Sequence, residues 1–467
     1  MWLGRTRHLH FVGIGGIGMS GIAELVANLG YRVSGSDARR SDITDRLAAL
    51  GVRIDISHDG AHVDDADVVV VSSAIAADNP EVATARARHV PVIPRAEMLA
   101  ELMRLRVGIA VAGAHGKTTT TSMIALMLEH AGLDPTAVIG GRLSAFGSNA
   151  KLGRGQYMVV EADESDRSFL RLSPTIAVVT NIDREHMDAY GSFDRLVEAF
   201  RDFADRVPFY GAVIACIDDP AVRGLLPSCS RRVITYGFSE DADIRGMEPV
   251  GDGRSGRCRV VFNVHGVPGG LGEGDMTISV PGRHNLQNAL AAMAVGLELG
   301  VPFARIQGAL ADFRGAERRY QVRGTHAGVT VVDDYGHHPT EIAAVLQAAR
   351  EGRPSRLVVV FQPHRFSRTR DLLGDFGPAL STADVVVLMD IYAAGEPAIP
   401  GITLDALAAA IEPHVSRLIV VPQLDDVPGV VARESQRGDL VITLGAGSVA
   451  GVGDRILAAL SASEVAS

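Results

Sequence analysis

The chain has 467 residues, of which 47% are hydrophobic, and a formal net charge of −10 at pH 7. At roughly 150 residues per domain, this length predicts three domains, and the acidic balance disfavours nucleic acid as the main partner. No apolar run approaches the roughly 18 residues of a membrane span. The three cysteines lack metal-like spacing, and we expect no signal peptide because the N-terminus leads directly into a strand. These features predict a cytoplasmic protein without a disulfide framework.

The first segment, residues 1–105, is predicted to form a Rossmann-like unit. A strand beginning at His8 is followed by the pattern G-x-G-x-x-G at 13–18, and a second strand ends at Asp37, where a ribose-binding carboxylate is expected. A further buried strand ends in the hydroxyls of Ser72 and Ser73. Taken alone, this pattern favours NAD or NADP. It also suits any diphosphate at a helix N-terminus, including a nucleotide-sugar, or a glycine turn needed only for packing.

The second segment, residues 106–314, opens with a strand, the loop Gly113-Ala-His-Gly-Lys-Thr-Thr119 and a helix. Glycines let the loop N–H groups point inward, and the helix N-terminus and the Lys117 charge favour an anion. The arrangement predicts a triphosphate site with a threonine hydroxyl free to bind Mg²⁺. The loop is shorter than G-x-x-x-x-G-K-[ST], because Val111 stands where that pattern has its first glycine. Lysine is otherwise nearly absent from the chain, which has only Lys151 besides Lys117.

Acidic residues follow the next strand of this segment. Glu161 ends the strand and is followed by Asp163, Glu164 and Asp166. A carboxylate at the end of a strand beside a phosphate loop is a common Mg²⁺ ligand. His186, after another strand, is a candidate second-metal ligand, although imidazole is an uncommon ligand for Mg²⁺ and an ordinary loop histidine is the alternative.

Later parts of the second segment carry weaker signals. Residues 237–280, rich in glycine and short alternating runs, predict a β-meander insertion without chemistry. Asn285 and Asn288 lie near the start of an alanine-rich helix. Such residues often cap helices, but an amide can also pair with the donor and acceptor edge of adenine.

The last segment, residues 315–467, alternates predicted strands and helices and therefore predicts a parallel sheet. Polar residues follow two of its strands, and sites on parallel sheets lie past the carboxyl ends of the strands. These candidates are Asp334, His337, His338, Arg365 and Arg368. Each alone could be a solvated loop residue, but two such clusters in one domain favour a binding site.

Eight motifs along the chain, in order, resemble those of the Mur ligases. Jointly they are specific, although the first alone is weak. They are GIGGIGMSG at 13–21, GAHGKTTT at 113–120, EADESD at 161–166, NIDREHMD at 181–188, GRHNLQNA at 282–289, RRYQ at 318–321, DDYGHHPTE at 333–341 and FQPHRFSRT at 361–369.

The resemblance implies an α/β protein of three domains. A Rossmann-like domain (1–105) would hold UDP-N-acetylmuramate rather than NAD. A P-loop-type ATPase domain with a β insertion (106–314) and a Rossmann-like C-terminal domain (315–467) would follow. The implied activity is ATP- and Mg²⁺-dependent ligation of L-alanine to UDP-N-acetylmuramate in peptidoglycan precursor synthesis.

The resemblance also implies nucleotide and metal contacts in the first two segments. Contacts to the UDP part would come from Gly15, Gly16, Asp37 and Ser73. The ATP phosphates would lie in the loop that comprises Gly113, Ala114, His115, Gly116, Lys117, Thr118 and Thr119, with Lys117 on the β- and γ-phosphates. One Mg²⁺ would be bound by Thr118 and Glu161, and a second by Glu161 and His186.

Further contacts are implied around the last segment. Asn285 and Asn288 would face adenine, while Arg319 and Asp334 would approach the nucleotide. The amino-acid and muramoyl side would be lined by Tyr335, His337, Arg365 and Arg368. Catalysis would rest on Lys117, Glu161, His186, His337 and Arg365, with His337 orienting or deprotonating the ammonium group of alanine.

Two departures from the family pattern bear on this interpretation. Ala114 replaces the threonine that usually stands in the family loop, which removes a hydroxyl but no charge. Sibling ligases that add later residues of the stem peptide carry a carbamylated lysine near the metals, and no lysine follows His186 here. The alternatives are a ligase that recycles a preformed peptide, an NAD-dependent dehydrogenase, and a nucleotide-gated switch protein without ligase chemistry.

Overall fold

A computed structural model describes residues 3–72, 74–143 and 148–465. The chain divides into two compact units. The first unit comprises Met1–Met247, Arg259–Asp275 and Gln287–Asp312, and the second comprises Glu248–Cys258, Met276–Leu286 and Phe313–Ser467. Ser73, one of the predicted contacts to UDP, lies outside the described residues.

The first predicted segment forms a five-stranded parallel sheet in the order β3-β2-β1-β4-β5. Its strands are β1 His8–Val12, β2 Arg32–Asp37, β3 Arg53–Ile56, β4 Val68–Val71 and β5 Val92–Pro94. Its helices are α1 Ile17–Asn28, α2 Asp42–Ala49, α3 Pro80–Ala87 and α4 Arg95–Met103. Every residue of the central strand β1 is buried, as expected where helices cover both faces of a parallel sheet.

The second segment contains a larger sheet, in which β12, β11, β10, β6, β9, β7 and β8 lie side by side in that order. These strands are β6 Val107–Ala112, β7 Thr136–Leu143, β8 Ser148–Lys151, β9 Tyr157–Glu161, β10 Ile176–Val179, β11 Ala212–Cys216 and β12 Val233–Gly237. All are paired in parallel except β7 with β8. Because β6 lies between β9 and β10, three carboxyl ends meet beside the loop that follows β6.

Besides these strands, the described part of the second segment contains six α-helices and the predicted β-meander. The helices are α5 Lys117–His130, α6 Met187–Tyr190, α7 Phe193–Asp205, α8 Pro220–Leu225, α9 Arg283–Glu298 and α10 Phe303–Ala311. The meander consists of β13 Ile244–Gly251, β14 Gly256–Asn263 and β15 Leu271–Ile278, with β13 paired in parallel with β12. The boundary between the two compact units passes through these three strands. Within the first unit, one apolar core joins both sheets through side chains such as Leu25, Leu102 and Met158.

The last segment forms a six-stranded sheet in the order β16-β17-β21-β18-β19-β20, parallel except for the edge strand β16. The strands are β16 Gln321–His326, β17 Val329–Asp334, β18 Leu357–Phe361, β19 Val385–Leu388, β20 Leu418–Val420 and β21 Leu440–Leu444. The helices are α11 Pro339–Glu351, α12 Phe366–Asp371, α13 Phe376–Leu380, α14 Leu404–Ile411, α15 Val427–Glu434 and α16 Val452–Val465. Alternate residues of β18 enter two different cores, Val359 on one face and Val358 on the other.

The three-domain α/β fold class predicted from the sequence, with Rossmann-like first and last domains, is confirmed. Within the described ranges, no helix has the length and apolarity needed to cross a bilayer.

A buried carboxylate links β1, β2 and α3 in the first sheet. Three imidazoles and a hydroxyl contact Glu81: His10 Nε2 at 3.3 Å, His58 Nδ1 at 2.8 Å, His62 Nδ1 at 2.9 Å and Ser36 Oγ at 2.7 Å. Burial opposes ionisation of this carboxyl group, but the four donated hydrogen bonds outweigh burial and lower its pKa from 4.5 to about 2. The carboxylate is therefore stabilised in the folded protein.

A carboxyl group whose pKa is lower in the folded state stabilises the protein above its unfolded pKa. That stabilisation is lost as the pH falls from about 4.5 towards 2. We expect Glu81→Gln to reduce the free energy of unfolding by about 3 kcal/mol at pH 7, and by roughly half as much at pH 3. Urea unfolding followed by circular dichroism would measure both values. A difference that stays constant between pH 7 and pH 3, or an equal loss in the half-exposed control Glu101→Gln, would contradict this assignment.

Candidate active site

The loop between β6 and α5 has the backbone conformation that its glycines permit. Gly113 has φ +143° and Gly116, the N-cap of α5, has φ +80°. A Cβ on Gly113 would overlap the hydroxyl of Thr180, and a Cβ on Gly116 would lie 2.5 Å from Asn288 Oδ1. Both positions therefore require glycine. The first turn of α5 is left with N–H groups available for an anion.

The neighbouring strand β10 holds this loop through the residues that follow it. His115 N donates to Asn181 Oδ1 at 2.8 Å, and Asn181 Nδ2 returns a bond to His115 O at 3.0 Å. Thr180 Oγ1 donates to the same carbonyl at 2.7 Å, and the His115 ring contacts Asp183 Oδ2 at 2.8 Å. The sequence did not assign Asn181 or Asp183, although both lie in one of the family motifs. These contacts fix the loop before any ligand binds.

Lys117 is largely but not fully buried, with its side chain 15% exposed, and it is ion-paired in this structure. Its Nζ donates to Gly113 O at 2.6 Å, Ala114 O at 3.1 Å and Glu164 Oε1 at 2.8 Å. Burial alone would lower the pKa of Lys117, but the charges of Glu164 and Glu161 outweigh it and raise that pKa. Lys117 is therefore a fixed positive charge inside the loop. Glu164, only 2% exposed, was not assigned a role from the sequence, although four acids within six residues marked the region.

The predicted oxygen ligands for Mg²⁺ lie together. Thr118 Oγ1 donates to both oxygens of Glu161, at 3.1 and 2.9 Å, and Gly140 N donates to Glu161 Oε2 at 2.8 Å. A carboxylate and a hydroxyl at a helix N-terminus are hard oxygen donors of the kind that Mg²⁺ prefers. This donor set fits a Mg²⁺ ion that also contacts a phosphate in the loop.

His186 lies beside acids other than the one predicted to share its metal. Its ligand atoms group with those of Glu164 and Glu185, all within 4.8 Å of one another, and His186 Nε2 lies 3.8 Å from Glu185 Oε2. Among the described residues, Glu164 Oε2 is buried without a hydrogen-bond partner. A buried carboxylate oxygen in that state is suited to a cation. The structure thus places His186 with Glu164 and Glu185, whereas the sequence paired it with Glu161.

The glycine pattern of the first sheet is fixed by the end of β2. Gly13 N and Ile14 N donate to Ser36 O at 2.8 and 2.9 Å, and Gly15 N donates to Asp37 Oδ2 at 2.9 Å. Asp37 therefore holds the loop that contains Gly15 and Gly16. It stays a predicted contact to the UDP part, but both of its oxygens already accept bonds from the protein, Oδ2 from Gly15 N and Oδ1 from Arg39 N at 3.2 Å.

The two predicted adenine contacts differ in their surroundings. Asn285 Nδ2 donates to Pro281 O at 2.7 Å, so its amide is used inside the chain. This bond differs from a helix cap, in which a side-chain oxygen accepts from a backbone N–H. Asn288, one turn later on α9, lies against Gly116 of the loop at residues 113–119, which we call the lysine loop. Both side chains are largely buried. Of the two predicted adenine contacts, Asn288 is thus the one that lies against the lysine loop.

In the second unit, Asp334 ends β17 and is buried. It accepts hydrogen bonds from Tyr320 N at 2.7 Å and Gly336 N at 2.6 Å. Burial raises its pKa to about 6 against the opposing effect of the Arg319 charge. Arg319 contacts Glu341 at 3.3 Å and lies 5.3 Å from the ring centre of Tyr335. The predicted Asp334, Arg319 and Tyr335 therefore belong to one polar cluster.

The remaining predicted residues of this unit surround an imidazole that the sequence did not assign. His364 lies 5.7 Å from His337, centre to centre, and its Nδ1 lies 3.2 Å from Arg368 Nη1. Burial, followed by the charges of His337, Arg368 and Arg365, lowers the pKa of His364 to about 4. His364 is therefore neutral at physiological pH. His364 immediately precedes Arg365 in a family motif, and this position in the motif is the sequence feature that could have identified it.

Comparisons with known proteins agree along the whole chain. Three family models match in order: "Mur ligase family, catalytic domain" at residues 8–106, "Mur ligase middle domain" at 111–296 and "Mur ligase, glutamate ligase domain" at 318–447. The UDP-N-acetylmuramate–L-alanine ligase of Anaeromyxobacter dehalogenans is 55% identical over 456 residues, which is 98% of each chain. That of Geobacter sulfurreducens is 53% identical over 460 residues, 98% of each chain.

Two solved structures extend the comparison. The UDP-N-acetylmuramate–alanine ligase of Thermotoga maritima has a TM-score of 0.82 at 29% identity and covers 98% of this chain and 99% of its own. A murein peptide ligase of Psychrobacter arcticus has a TM-score of 0.71 at 25% identity, with 97% and 98% covered.

Proposed function

Because this chain belongs to the Mur ligase family, we propose that it is an ATP-dependent ligase joining L-alanine to UDP-N-acetylmuramate, with release of ADP and phosphate. The observation that carries the proposal is the lysine loop, in which Lys117, Thr118 and Glu161 lie together at the carboxyl ends of β6 and β9. The same proposal places the reaction in peptidoglycan precursor synthesis, in the cytoplasm, where ATP is available.

The substrate carboxylate must be activated before an amide can form. A carboxylate is a poor electrophile because its charge is delocalised and its leaving group would be oxide. Transfer of the γ-phosphoryl group of ATP to the lactyl carboxylate gives an acyl phosphate, in which phosphate is the leaving group. The amine of L-alanine then attacks the acyl carbon, the tetrahedral intermediate collapses, and the amide forms as phosphate departs.

The chain must first bring two anions together. Like unit charges at about 4 Å repel by about 1 kcal/mol in water and by about 4 kcal/mol at an effective dielectric of 20. We propose that Lys117 supplies positive charge to the β- and γ-phosphates, releasing Glu164 as it moves to them. Because the loop is already clamped by Asn181 and Thr180, little reorganisation is needed when the nucleotide binds.

We propose that Thr118 and Glu161 hold a Mg²⁺ ion, and that His186 holds a second cation together with Glu164 and Glu185. When bound, Mg²⁺ neutralises phosphate charge and stabilises the developing charge of phosphoryl transfer. The chain's own part is to fix these ligands: Gly140 N orients Glu161, and the end of β6 sets Thr118 at the helix start.

The second unit would supply the amino-acid side. We propose that Asn285 and Asn288 face adenine, that Arg319 and Asp334 approach the nucleotide, and that Tyr335, His337, Arg365 and Arg368 line the amino-acid and muramoyl groups. The ammonium group of alanine must lose a proton before it can attack. His337 is proposed to orient or deprotonate it, with its Nδ1 held at 3.0 Å from Tyr335 O.

One assay tests the proposal against its alternatives. The purified chain is incubated with ATP, MgCl₂ and UDP-N-acetylmuramate, and with L-alanine, glycine, L-serine or a stem tripeptide. We expect phosphate release and a product mass increased by one alanine residue. Product from the tripeptide alone would favour a peptide-recycling ligase; the Psychrobacter arcticus structure is named a murein peptide ligase. Nucleotide binding without phosphate release would favour a switch protein, and binding of NAD would revive the dehydrogenase alternative.

A further inference from the structure

The turn that carries Arg365 has an unfavourable backbone conformation. Arg365 directly precedes α12 with φ 71° and ψ 138°, in a region that non-glycine residues rarely adopt. Such a conformation persists only where neighbouring groups hold it, and it is found most often at functional sites. Arg365 N donates to Tyr392 O at 2.8 Å, and Tyr392 N donates to Pro363 O at 2.8 Å. The segment after β19 therefore holds this turn through its backbone.

A carboxylate of the same segment holds the turn through its side chain. Glu396 Oε2 accepts from Ser367 N at 3.0 Å, and Oε1 accepts from Ser367 Oγ at 2.7 Å. Oε1 also lies 3.8 Å from Arg365 Nη1. Glu396 thus satisfies an N–H in the first turn of α12 and faces the guanidinium from a position 29 residues further along the chain than Ser367.

The contact between Glu396 and Arg365 depends on the charge of the Glu396 carboxylate. Partial burial raises its pKa, but the two bonds from Ser367 and the charge of Arg365 outweigh burial and lower it. The side chain is therefore ionised at neutral pH. Its own position is set by a tight turn, in which Glu396 N donates to Ala393 O at 3.0 Å and Gly395 has φ +85°.

We propose that Glu396 is a positioning residue for the amino-acid substrate, acting through Arg365. It fixes both the backbone turn and the direction of the guanidinium, so that Arg365 presents an oriented fork to the carboxylate of L-alanine. This inference rests on the proposed function, which places Arg365 on the amino-acid side. Without Glu396, the half-exposed Arg365 side chain must be ordered anew each time the substrate binds.

Among the three substrates, L-alanine should have the binding that is most weakened when Glu396 is removed. It offers only a carboxylate, an ammonium group and a methyl group, so each contact is a large share of its binding. ATP and UDP-N-acetylmuramate are larger molecules that offer many more groups for contact. The described contacts of Glu396 include none with the residues proposed to bind ATP. A change confined to one substrate therefore separates positioning from general destabilisation.

The test is a comparison of Glu396→Gln with Glu434→Gln. The control carboxylate is equally exposed, at 24%, and is ion-paired at 2.8 Å with Arg417. Arg417 precedes the amino end of β20, whereas Arg365 follows the carboxyl end of β18. For Glu396→Gln we expect the KM for L-alanine to rise about tenfold or more. The KM for ATP should stay within twofold, and the melting temperature close to that of the control.

Two further measurements complete the design. The double variant Glu396→Gln/Arg365→Ala should be no worse than Arg365→Ala alone, because both changes remove the same contact. Hydrogen exchange in the peptide 363–371 should be faster in Glu396→Gln than in the control, a readout that does not depend on ligation. An unchanged KM for L-alanine, or additive effects in the double variant, would overturn the proposal. A wild-type chain that forms no product, with exchange at 363–371 still dependent on Glu396, would instead overturn the proposed function.

Discussion

Replacing Lys117 by alanine should reduce ligation about a thousandfold. Removal of one pre-organised charge or donor that stabilises transition-state charge costs about 10²–10³ in rate, and cationic residues in phosphoryl transfer contribute up to about 10⁵. Gly113 O and Ala114 O hold Lys117 Nζ inside the loop, and the proposed function has it exchange its third partner, Glu164, for the phosphates. Initial rates of phosphate release, with product mass as confirmation, would measure the effect.

A loss of activity must be separated from a loss of folding, because Lys117 neutralises a buried carboxylate. Removing one partner of a buried ion pair costs about 3–5 kcal/mol, since the other charge is left uncompensated. Glu164 is in that position, at 2.8 Å from Lys117 Nζ and 2% exposed. We therefore expect Lys117→Ala alone to melt at a lower temperature. The double variant Lys117→Ala/Glu164→Gln should recover stability while staying inactive.

The chain offers a matched control in its one other lysine. Lys151 forms partly exposed ion pairs with Glu129 and Asp134 and is not part of the loop. Exposed pairs contribute about 0–1 kcal/mol, so Lys151→Ala should leave both activity and melting temperature close to the wild type. If the stable double variant kept appreciable turnover, Lys117 would not be the phosphate-binding cation.

What the sequence predicted correctly was local, or followed from sheet geometry. The strand, loop and helix around Lys117 lie within one stretch of chain, so glycine spacing and apolar periodicity were sufficient. Thr118 and Glu161 are 43 residues apart, but each follows or ends a parallel strand, and such ends meet at one edge of a sheet. That rule brings them together without knowledge of the full fold.

What the sequence could not predict depends on which distant groups meet. Glu164 was visible as one of several acids, but its pairing with Lys117 depends on the direction that the chain takes after β9. The Glu81 network joins β1, β2 and α3 with the two histidines that follow β3, and the histidines alone gave no pattern. The antiparallel edge strand β16 was missed as well, because a half-exposed edge lacks the continuous apolar run of the inner strands.

The pairing of His186 illustrates the same limit. Sequence spacing placed it after the strand next to the lysine loop, but it could not tell which acid it faces. The structure groups it with Glu164 and Glu185. The Mg²⁺ assignment therefore rests most firmly on Glu161, whose oxygens both contact Thr118.

Replacing Glu161 by glutamine should raise the Mg²⁺ concentration needed for half-maximal ligation about tenfold or more. Mg²⁺ sites in phosphoryl-transfer enzymes use one or two carboxylates together with substrate phosphates, so the loss of one negative charge removes a large part of the protein's contribution. The amide keeps an oxygen that can still accept from Thr118 or from Gly140 N, so the fold should persist. Rates measured over a wide range of MgCl₂ at fixed ATP would give the shift.

A second readout avoids dependence on turnover. Binding of Mn²⁺ with a non-hydrolysable ATP analogue, followed by electron paramagnetic resonance, should weaken in Glu161→Gln in proportion to the shift in the Mg²⁺ titration. The control Glu129→Gln removes an acid of α5 that pairs with Lys151 outside the loop, and it should change neither curve. Because Glu161 is the acid that contacts Thr118 directly, identical titrations for Glu161→Gln and the wild type would place the ion elsewhere. The Glu164, Glu185 and His186 group would then be the remaining site among the described residues.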